Sequence, residues 1–364
     1  MILQTTGATA TVLIIVALLS VLLTWAATQF VRSHAIRRAM IDVPNKRSSH
    51  TSPTPRGGGA AIVFTVLLCA ALAALAGWLP VRAAVAVIGG GTLVALVGWM
   101  DDQHHVSAGW RAIAHLCAGA WAIIWLGGIE NVRLSHLGVI SGPVASVFAG
   151  IAIAWLINLY NFMDGIDGIA AVETITVGAS GAIVLLLGGA PGLAAISASL
   201  AGAGAGFLFW NRMPARIFMG DVGSGFLGFA FATVALAAHK TASISATVWV
   251  LLLLVFIADA TITLLRRIFH GDSWHVAHRL HAYQRLVQAG HSHAQVVRYV
   301  AMLNVLLSAL AIVVSMRPDL TWPALVLGIV LVAGAYVAVE CRRGMWSVTV
   351  PMDQEVVSQA GRNS

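Results

Sequence analysis

The chain is short of charge, because only 10% of its 364 residues are Asp, Glu, Lys or Arg while 59% are hydrophobic. Soluble globular domains carry about 25% charged residues, so this composition excludes an ordinary soluble protein and indicates a polytopic membrane protein. Cysteine is scarce too, and Cys69, Cys117 and Cys341 all lie in apolar segments. An odd number of cysteines placed in this way gives no disulfide framework.

Long apolar runs occupy most of the sequence, and a membrane helix needs about 20 such residues. The alternating pattern of a transmembrane β-barrel is lacking. We therefore predict an all-α protein with about eleven transmembrane helices, built as one integral-membrane catalytic domain over 1–345 with a polar tail over 346–364. The runs lie at about 8–30, 59–79, 83–100, 111–128, 143–160, 169–189, 191–210, 223–238, 245–264, 296–315 and 322–341.

The basic residues predict the orientation. No basic residue precedes the first apolar run, whereas Arg32, Arg37 and Arg38 follow it, so we expect a retained helix rather than a cleaved signal peptide. With the N-terminus outside, 17 of the 21 Lys and Arg residues fall on inner loops and 4 on outer loops. The positive-inside rule then predicts a periplasmic N-terminus and a cytoplasmic C-terminus. The net charge of +7 is a topological signal, and no segment resembles a nucleic-acid-binding module.

Acidic residues number only 14, so their clustering is informative. A carboxylate beside a bilayer costs several kcal/mol and usually marks an ion or substrate site. Carboxylate oxygens suit hard cations such as Mg²⁺, although solvated loop acids and acids at helix N-termini are the simpler alternatives. Five of the acids form three clusters at the ends of apolar runs: Asp101 with Asp102, Asp164 with Asp167, and Asp221.

The segment before Gly168 carries a regular polar spacing. Asn158, Asn161, Asp164 and Asp167 recur every three residues. Residues three apart are neighbours on a helix, so the spacing predicts a polar stripe that continues along one helix.

The segment 211–225 joins two apolar runs and contains Pro214 and several glycines. Irregular backbone at membrane depth is tolerated where it lines a site. Asn211 and Asp221 offer oxygen atoms, Phe218 offers a stacking face, and glycine N–H groups can approach phosphate. A plain interhelical turn would explain the glycines but not these side chains.

Two loops combine histidine with basic residues. In the loop after about residue 265, His275, His278 and His281 repeat every three residues beside Arg279. On a helix they fit a zinc site, a phosphate site or a basic helix on anionic lipid, and the hard-metal acids elsewhere favour phosphate. The earlier loop carries Lys46, His50 and Arg56, which fit either a phosphate-binding loop or a positive-inside anchor.

Three acidic and two basic clusters thus share one predicted membrane face. Acids indicate a divalent cation and basic residues indicate phosphate, so the sequence favours phosphoryl transfer between a cytosolic nucleotide and a membrane-resident acceptor. A cation-coupled transporter would place acids near mid-membrane within repeats. An intramembrane metalloprotease would carry a motif such as His-Glu-x-x-His, which the sequence lacks.

Together these motifs resemble the polyprenyl-phosphate N-acetylhexosamine-1-phosphate transferase superfamily, or glycosyltransferase family 4, from about residue 42 to residue 285. The resemblance rests on Asp101-Asp102, on Asn-Phe-Met-Asp-Gly-Ile-Asp-Gly at 161–168 and on Phe-Met-Gly-Asp-Val-Gly-Ser at 218–224. The last loop, His-Arg-Leu-His-Ala-Tyr-Gln-Arg at 278–285, departs from the consecutive histidines of the peptidoglycan enzymes. It resembles the subgroup that initiates O-antigen or similar glycans.

This resemblance implies transfer of N-acetylhexosamine-1-phosphate from a UDP-sugar to undecaprenyl phosphate, with UMP as the second product. It implies Mg²⁺ as cofactor, with Mn²⁺ as an alternative, and a bacterial inner-membrane enzyme whose active site faces the cytoplasm. A homodimer is expected, and the sugar stays open. The alternatives are a phospho-N-acetylmuramoyl-pentapeptide transferase of peptidoglycan synthesis and, from another class, the cation-coupled transporter.

The roles expected for individual residues follow the matched motifs. The metal ligands are Asp221 and Asp101, and the catalytic acids are Asp101, Asp102, Asp164 and Asp167. The nucleotide-sugar contacts are Asn161, Asn211, Phe218, His278, Arg279 and His281. The lipid-phosphate contacts are Lys46, His50 and Arg56.

Overall fold

The computed structural model describes residues 2–44, 52–130, 132–133, 139–272 and 278–346. This part of the chain is helical apart from two short antiparallel hairpins, as the all-α prediction requires. The first half comprises α1 (Ile2–Arg37), β1 (Ile41–Asp42), β2 (Thr54–Pro55), α2 (Ala60–Leu75), α3 (Val81–Gln103), α4 (Ala108–Leu126), β3 (Val132–Arg133), β4 (Val139–Ile140) and α5 (Gly142–Met163). The second half comprises α6 (Ile169–Leu187), α7 (Pro191–Asn211), α8 (Asp221–Ala242), α9 (Ala246–Leu252), α10 (Leu254–His270), α11 (Ala282–Gln288), α12 (His293–Met316), a 3₁₀ turn (Pro318–Leu320) and α13 (Thr321–Arg342).

Each of the eleven predicted apolar runs contains a helix, and the ninth run contains two, α9 and α10, which meet at Leu253 with a bend of 78°. Among the described residues, eight helices are long and apolar enough to span a membrane, and the bent pair would make nine. Helix α2 is apolar but shorter, and α4 is not among the eight. The chain is therefore a multi-pass membrane protein, while eleven crossings and the orientation stay predictions.

Helices α7 and α8 form the centre of the bundle, and most of their side chains are buried. Helix α7 is rich in Ala, Gly and Ser, which lets α1, α2 and α6 pack closely against it. Helix α8 packs against α3 and α5. This packing brings the C-terminal ends of α3 and α5 to the N-terminal end of α8, where the acidic motifs lie.

Trp346, the first residue of the predicted tail, stacks on the His270 ring with a centroid distance of 4.2 Å. The rest of the predicted tail, 347–364, lies outside the described residues.

Candidate active site

A chain of alternating charges crosses one end of the bundle. Arg111 Nη1 lies 2.6 Å from Asp101 Oδ2 and 3.2 Å from Asp221 Oδ2. On the other side of Asp221, Arg56 forms an ion pair with it, and Arg56 Nε lies 2.7 Å from Asp102 Oδ1. We call these five residues the ionic chain, in the order Asp101, Arg111, Asp221, Arg56, Asp102. Each of the three carboxylates has a guanidinium partner, which offsets the repulsion between neighbouring acids.

Asp102 also holds the start of α8. Its carboxylate accepts hydrogen bonds from the backbone N–H of Asp221, at 2.9 Å, and of Val222, at 3.2 Å. The first N–H groups of a helix have no intrahelical acceptor, and the positive end of the helix dipole favours an acid there. Asp102 therefore serves α8 as a capping group although it lies on α3. The preceding Gly220 has φ of +76° and touches the Asp102 carboxylate.

A short loop brings Arg56 to this position. Strands β1 and β2 pair, and the chain after them pairs with the segment before α8: Phe218 N donates to Pro55 O at 2.8 Å, and Gly58 N donates to Phe218 O at 2.9 Å. Burial lowers the pKa of the Arg56 guanidinium, but Asp221 and Asp102 outweigh it and raise that pKa above its ordinary value. Arg56 is therefore a fixed positive charge.

Asp164 differs from the acids of the ionic chain. It follows the last residue of α5, and no described residue donates a hydrogen bond to its carboxylate. Burial raises its pKa well above the ordinary value, Arg56 opposes this, and Asp221 and Asp102 add to it. A half-buried carboxylate to which no described residue donates a hydrogen bond can bind a cation.

The predicted polar stripe is wrong beyond Asn161. Helix α5 ends at Met163, and residues 164–168 form a turn before α6. Asn161 still faces the site, since its Nδ2 donates to Asp221 Oδ2 at 2.9 Å. Asp167 leaves the stripe and accepts a hydrogen bond from Ala215 N at 3.1 Å.

Asn211 connects the same two loops. Its side chain is buried, its Oδ1 accepts from Gly168 N at 2.9 Å, and its Nδ2 donates to Ile217 O at 3.0 Å. Asn211 therefore holds the 164–168 turn against the 212–220 loop. Phe218, half-buried, lies on that loop beside the ionic chain. The nucleotide contacts expected of both residues stay predictions.

The histidine loop has a different shape from the predicted one. Residues 278–280 are not helical, and His281 precedes the first residue of α11, so the helical i+3 interpretation is wrong for His278 and His281; His275 lies outside the described residues. The two described rings still lie 4.9 Å apart between centroids. Burial, together with the smaller effects of His281 and Arg267, lowers the pKa of His278 to about 3. His278 is therefore a neutral ring at pH 7. Half-buried Arg279 donates no hydrogen bond from its Nε to any described residue.

The donor set suits magnesium with few protein ligands. Among the described residues, no three acidic, histidine or cysteine side chains are arranged to hold a metal ion jointly. Mg²⁺ usually keeps several waters and binds one or two carboxylates together with substrate phosphates. The oxygens of Asp221 and Asp101, with the unpartnered carboxylate of Asp164 nearby, fit that pattern.

Two predicted site residues, Lys46 and His50, lie outside the described residues, so of the three expected lipid-phosphate contacts only Arg56 is placed. Arg111 lies in the ionic chain although no role in the site was predicted for it; its only signal was that it is the first Lys or Arg after Asp101-Asp102. His293 was also missed, and its Nδ1 lies 3.6 Å from Asp167 Oδ2.

The sequence is similar to a known protein family and to individual known proteins. The model of the family described as Glycosyl transferase family 4 matches residues 84–239, which include Asp101, Arg111 and Asp221. A probable undecaprenyl-phosphate N-acetylglucosaminyl 1-phosphate transferase of Bacillus subtilis is 30% identical over 309 residues, covering 82% of this chain and 83% of the relative. The chain belongs to glycosyl transferase family 4.

Two other relatives show the range of proteins to which the chain is similar. The decaprenyl-phosphate N-acetylglucosaminephosphotransferase of Mycolicibacterium smegmatis is 30% identical over 362 residues, covering 89% of this chain and 87% of the relative. A phospho-N-acetylmuramoyl-pentapeptide-transferase of Picosynechococcus is 32% identical over 221 residues, covering 55% of each chain. The similarity to the N-acetylglucosamine phosphate transferases thus extends over more of the chain than the similarity to the pentapeptide transferase.

Proposed function

We propose that this protein transfers N-acetylhexosamine-1-phosphate from a UDP-sugar to undecaprenyl phosphate and releases UMP. The product would initiate a lipid-linked O-antigen or a related surface glycan. We place the protein in the bacterial inner membrane with the site at the cytoplasmic face, because the predicted inner loops carry most basic residues. The names of the relatives support a polyprenyl phosphate acceptor.

The observation that carries this proposal is the ionic chain. It gathers three carboxylates and two guanidinium groups where three helix ends meet. Phosphoryl transfer between two anions depends on neutralising and orienting charge. Arginine binds phosphate through paired N–H donors, so Arg56 and Arg111 are suited to the diphosphate and the acceptor phosphate.

The reaction needs one bond formed and one broken. An oxygen of the lipid phosphate attacks the β-phosphorus of the UDP-sugar, and the bond from that phosphorus to the oxygen shared with the α-phosphate breaks, so that UMP leaves. A phosphate monoester has a second pKa near 6, so the acceptor is mostly dianionic at pH 7 and requires no general base. Asp102, which pairs with Arg56 and accepts a hydrogen bond at the start of α8, is then a positioning group.

We propose Mg²⁺ as the cofactor, with Mn²⁺ as an alternative. Asp221 and Asp101 would hold it, and Asp164 offers a further oxygen. When bound, it would neutralise charge on the diphosphate. The rest of the positive charge comes from Arg56 and Arg111, which are fixed by the carboxylates between them.

A phospho-N-acetylmuramoyl-pentapeptide transferase is the second candidate, supported by the Picosynechococcus relative. The shorter region of similarity and the non-consecutive histidines at 278–281 favour the first candidate. Family membership argues against the transporter. The homodimer stays a prediction.

One experiment tests the proposal. The purified protein is incubated with undecaprenyl phosphate, Mg²⁺ and each of several donors: UDP-N-acetylglucosamine, 6-deoxy UDP-N-acetylhexosamines and UDP-N-acetylmuramoyl-pentapeptide. We expect UMP release with an N-acetylhexosamine donor, none without the lipid, and none after chelation of the metal. No UMP with any donor, or an Asp221→Asn variant as active as the parent, would contradict the proposal.

A further inference from the structure

Asp259 fixes the beginning of α11. Its buried carboxylate, on α10 just after the bend, accepts hydrogen bonds from Ala282 N at 2.8 Å and Tyr283 N at 3.2 Å. His281 Nδ1 lies 3.4 Å from the same carboxylate. An acid at the N-terminal end of a helix is favourable, so the bent helix determines where α11 begins.

Tyr283 connects α11 to the turn that contains Asp164. Its ring is buried, and its Oη donates a hydrogen bond to the carbonyl oxygen of Phe162 at 3.0 Å. Phe162 is the last residue but one of α5 and lies two residues before Asp164. The carbonyl groups at the end of a helix lack intrahelical donors, so this hydroxyl satisfies one of them and fixes the end of α5.

Tyr283 also lies against Gly165, the residue that follows Asp164. A Cβ atom added to Gly165 would lie 2.1 Å from Tyr283 Oη but 3.1 Å from Tyr283 Cζ. The backbone on both sides of Asp164 thus touches the same tyrosine. The His281 ring also stacks against Phe162, at 6.3 Å between centroids.

We infer that Tyr283, held in place by Asp259, is a positioning residue that sets the location of the Asp164 carboxylate in the active site. The inference rests on the proposed function, because Asp164 acts on substrate or metal only if the transfer takes place here. Displacing a functional group by about 1 Å can cost up to about 100-fold in rate. Loss of one hydroxyl that contacts the turn is a milder change.

The first test compares two tyrosines. Tyr283→Phe removes only the hydroxyl, and Tyr299→Phe is the matched control, since Tyr299 is exposed on α12. We expect Tyr283→Phe to lower kcat for UMP release about tenfold, to leave KM for the UDP-sugar within about twofold, and to raise the Mg²⁺ concentration needed for half-maximal rate. The control should match the parent. A Tyr283→Phe variant with the kcat and Mg²⁺ dependence of the control overturns the inference.

The second test uses the contact with Gly165. Gly165→Ala should be nearly inactive and less thermally stable than the parent because the new methyl group meets the Tyr283 hydroxyl. In the double variant Gly165→Ala/Tyr283→Phe the nearest atom becomes the ring carbon. We expect the double variant to exceed Gly165→Ala in both kcat and Tm, since residues in contact give non-additive effects. Independent, additive losses would contradict the inference.

The two proposals fail in different ways. A parent that releases no UMP with any donor overturns the proposed function, and the inference falls with it. An active parent whose 165 and 283 variants show no coupling overturns the inference alone.

Discussion

The side chain of Asp102 is bound to Asp221 in two ways. It accepts the backbone N–H of Asp221 at 2.9 Å, and Arg56 pairs with both carboxylates. One acid on α3 therefore orients both the start of α8 and the side chain proposed to hold the metal. Asp102 can do this without transferring a proton.

Asp102→Asn separates positioning from base catalysis. The new amide NH₂ would face another donor, either Val222 N or the pair Asp221 N and Arg56 Nε. We therefore expect kcat to fall about 100-fold and the free energy of unfolding to fall by about 3 kcal/mol. The pH dependence of kcat, measured from about pH 5 to pH 9, should keep the shape of the parent profile. Loss of a titration within this pH range would instead identify Asp102 as a general base.

Arg111 is expected to be as important as the acids that it joins. Arg111→Ala leaves Asp101 and Asp221 without a shared counter-ion, and we expect kcat/KM for UMP release to fall about 100-fold. Arg111→Lys should recover part of the loss, because an ammonium keeps the charge but not the planar guanidinium. Arg317→Ala is the control, since among the described residues Arg317 pairs only with exposed Asp319. Equal activity of Arg111→Ala and Arg317→Ala would show that Arg111 has no role in the site.

Gly220 and Gly77 form a matched pair. Both have positive φ, +76° and +74°, so alanine at either position strains the backbone, by about 1–3 kcal/mol at Gly220, whose ψ of 170° lies in a region adopted almost only by glycine. An added Cβ at Gly220 would lie 2.3 Å from Asp102 Oδ2, whereas at Gly77 no atom lies within 4 Å. We expect Gly77→Ala to lower Tm slightly and keep full UMP release, and Gly220→Ala to lose activity. Similar activity of the two variants would contradict the tight contact with Asp102.

His278 should make the protein less stable in mild acid. Its pKa in the folded protein is lowered to about 3, whereas an unfolded histidine titrates near 6.5. As the pH falls below about 6.5, only the unfolded state gains this proton, so the protein loses stability progressively until the pH approaches 3. His278→Gln should therefore show a smaller fall in Tm than the parent, while His104→Gln, at an exposed position, should follow the parent. Parallel curves for all three proteins would refute a His278 ring that stays neutral in the folded protein.

Sequence reasoning located the acidic clusters because the length of an apolar run fixes where its helix ends. Asp101, Asp102 and Asp221 lie at such ends, and the structure brings them together around two arginines. The separate inference from the period of three failed at Asp164 and Asp167. A period of three fits a helix, but spacing does not reveal that α5 stops at Met163.

Pairings between distant segments were beyond the sequence. Arg111 reaches Asp221, 110 positions away, only because α4 turns back beside α3. Asp259 and Tyr283 meet because α11 lies beside α10. The 78° bend between α9 and α10 contains no proline from which it could have been predicted. Such contacts depend on tertiary packing rather than on local pattern.

The order of charges in the ionic chain has a thermodynamic consequence. Asp221 is the middle member and shares both arginines. An anionic substrate that attracts Arg56 and Arg111 leaves three carboxylates short of positive charge, and a bound cation compensates for that loss. Nucleotide and metal should therefore strengthen each other's binding by the same factor, since linkage between two ligands is reciprocal.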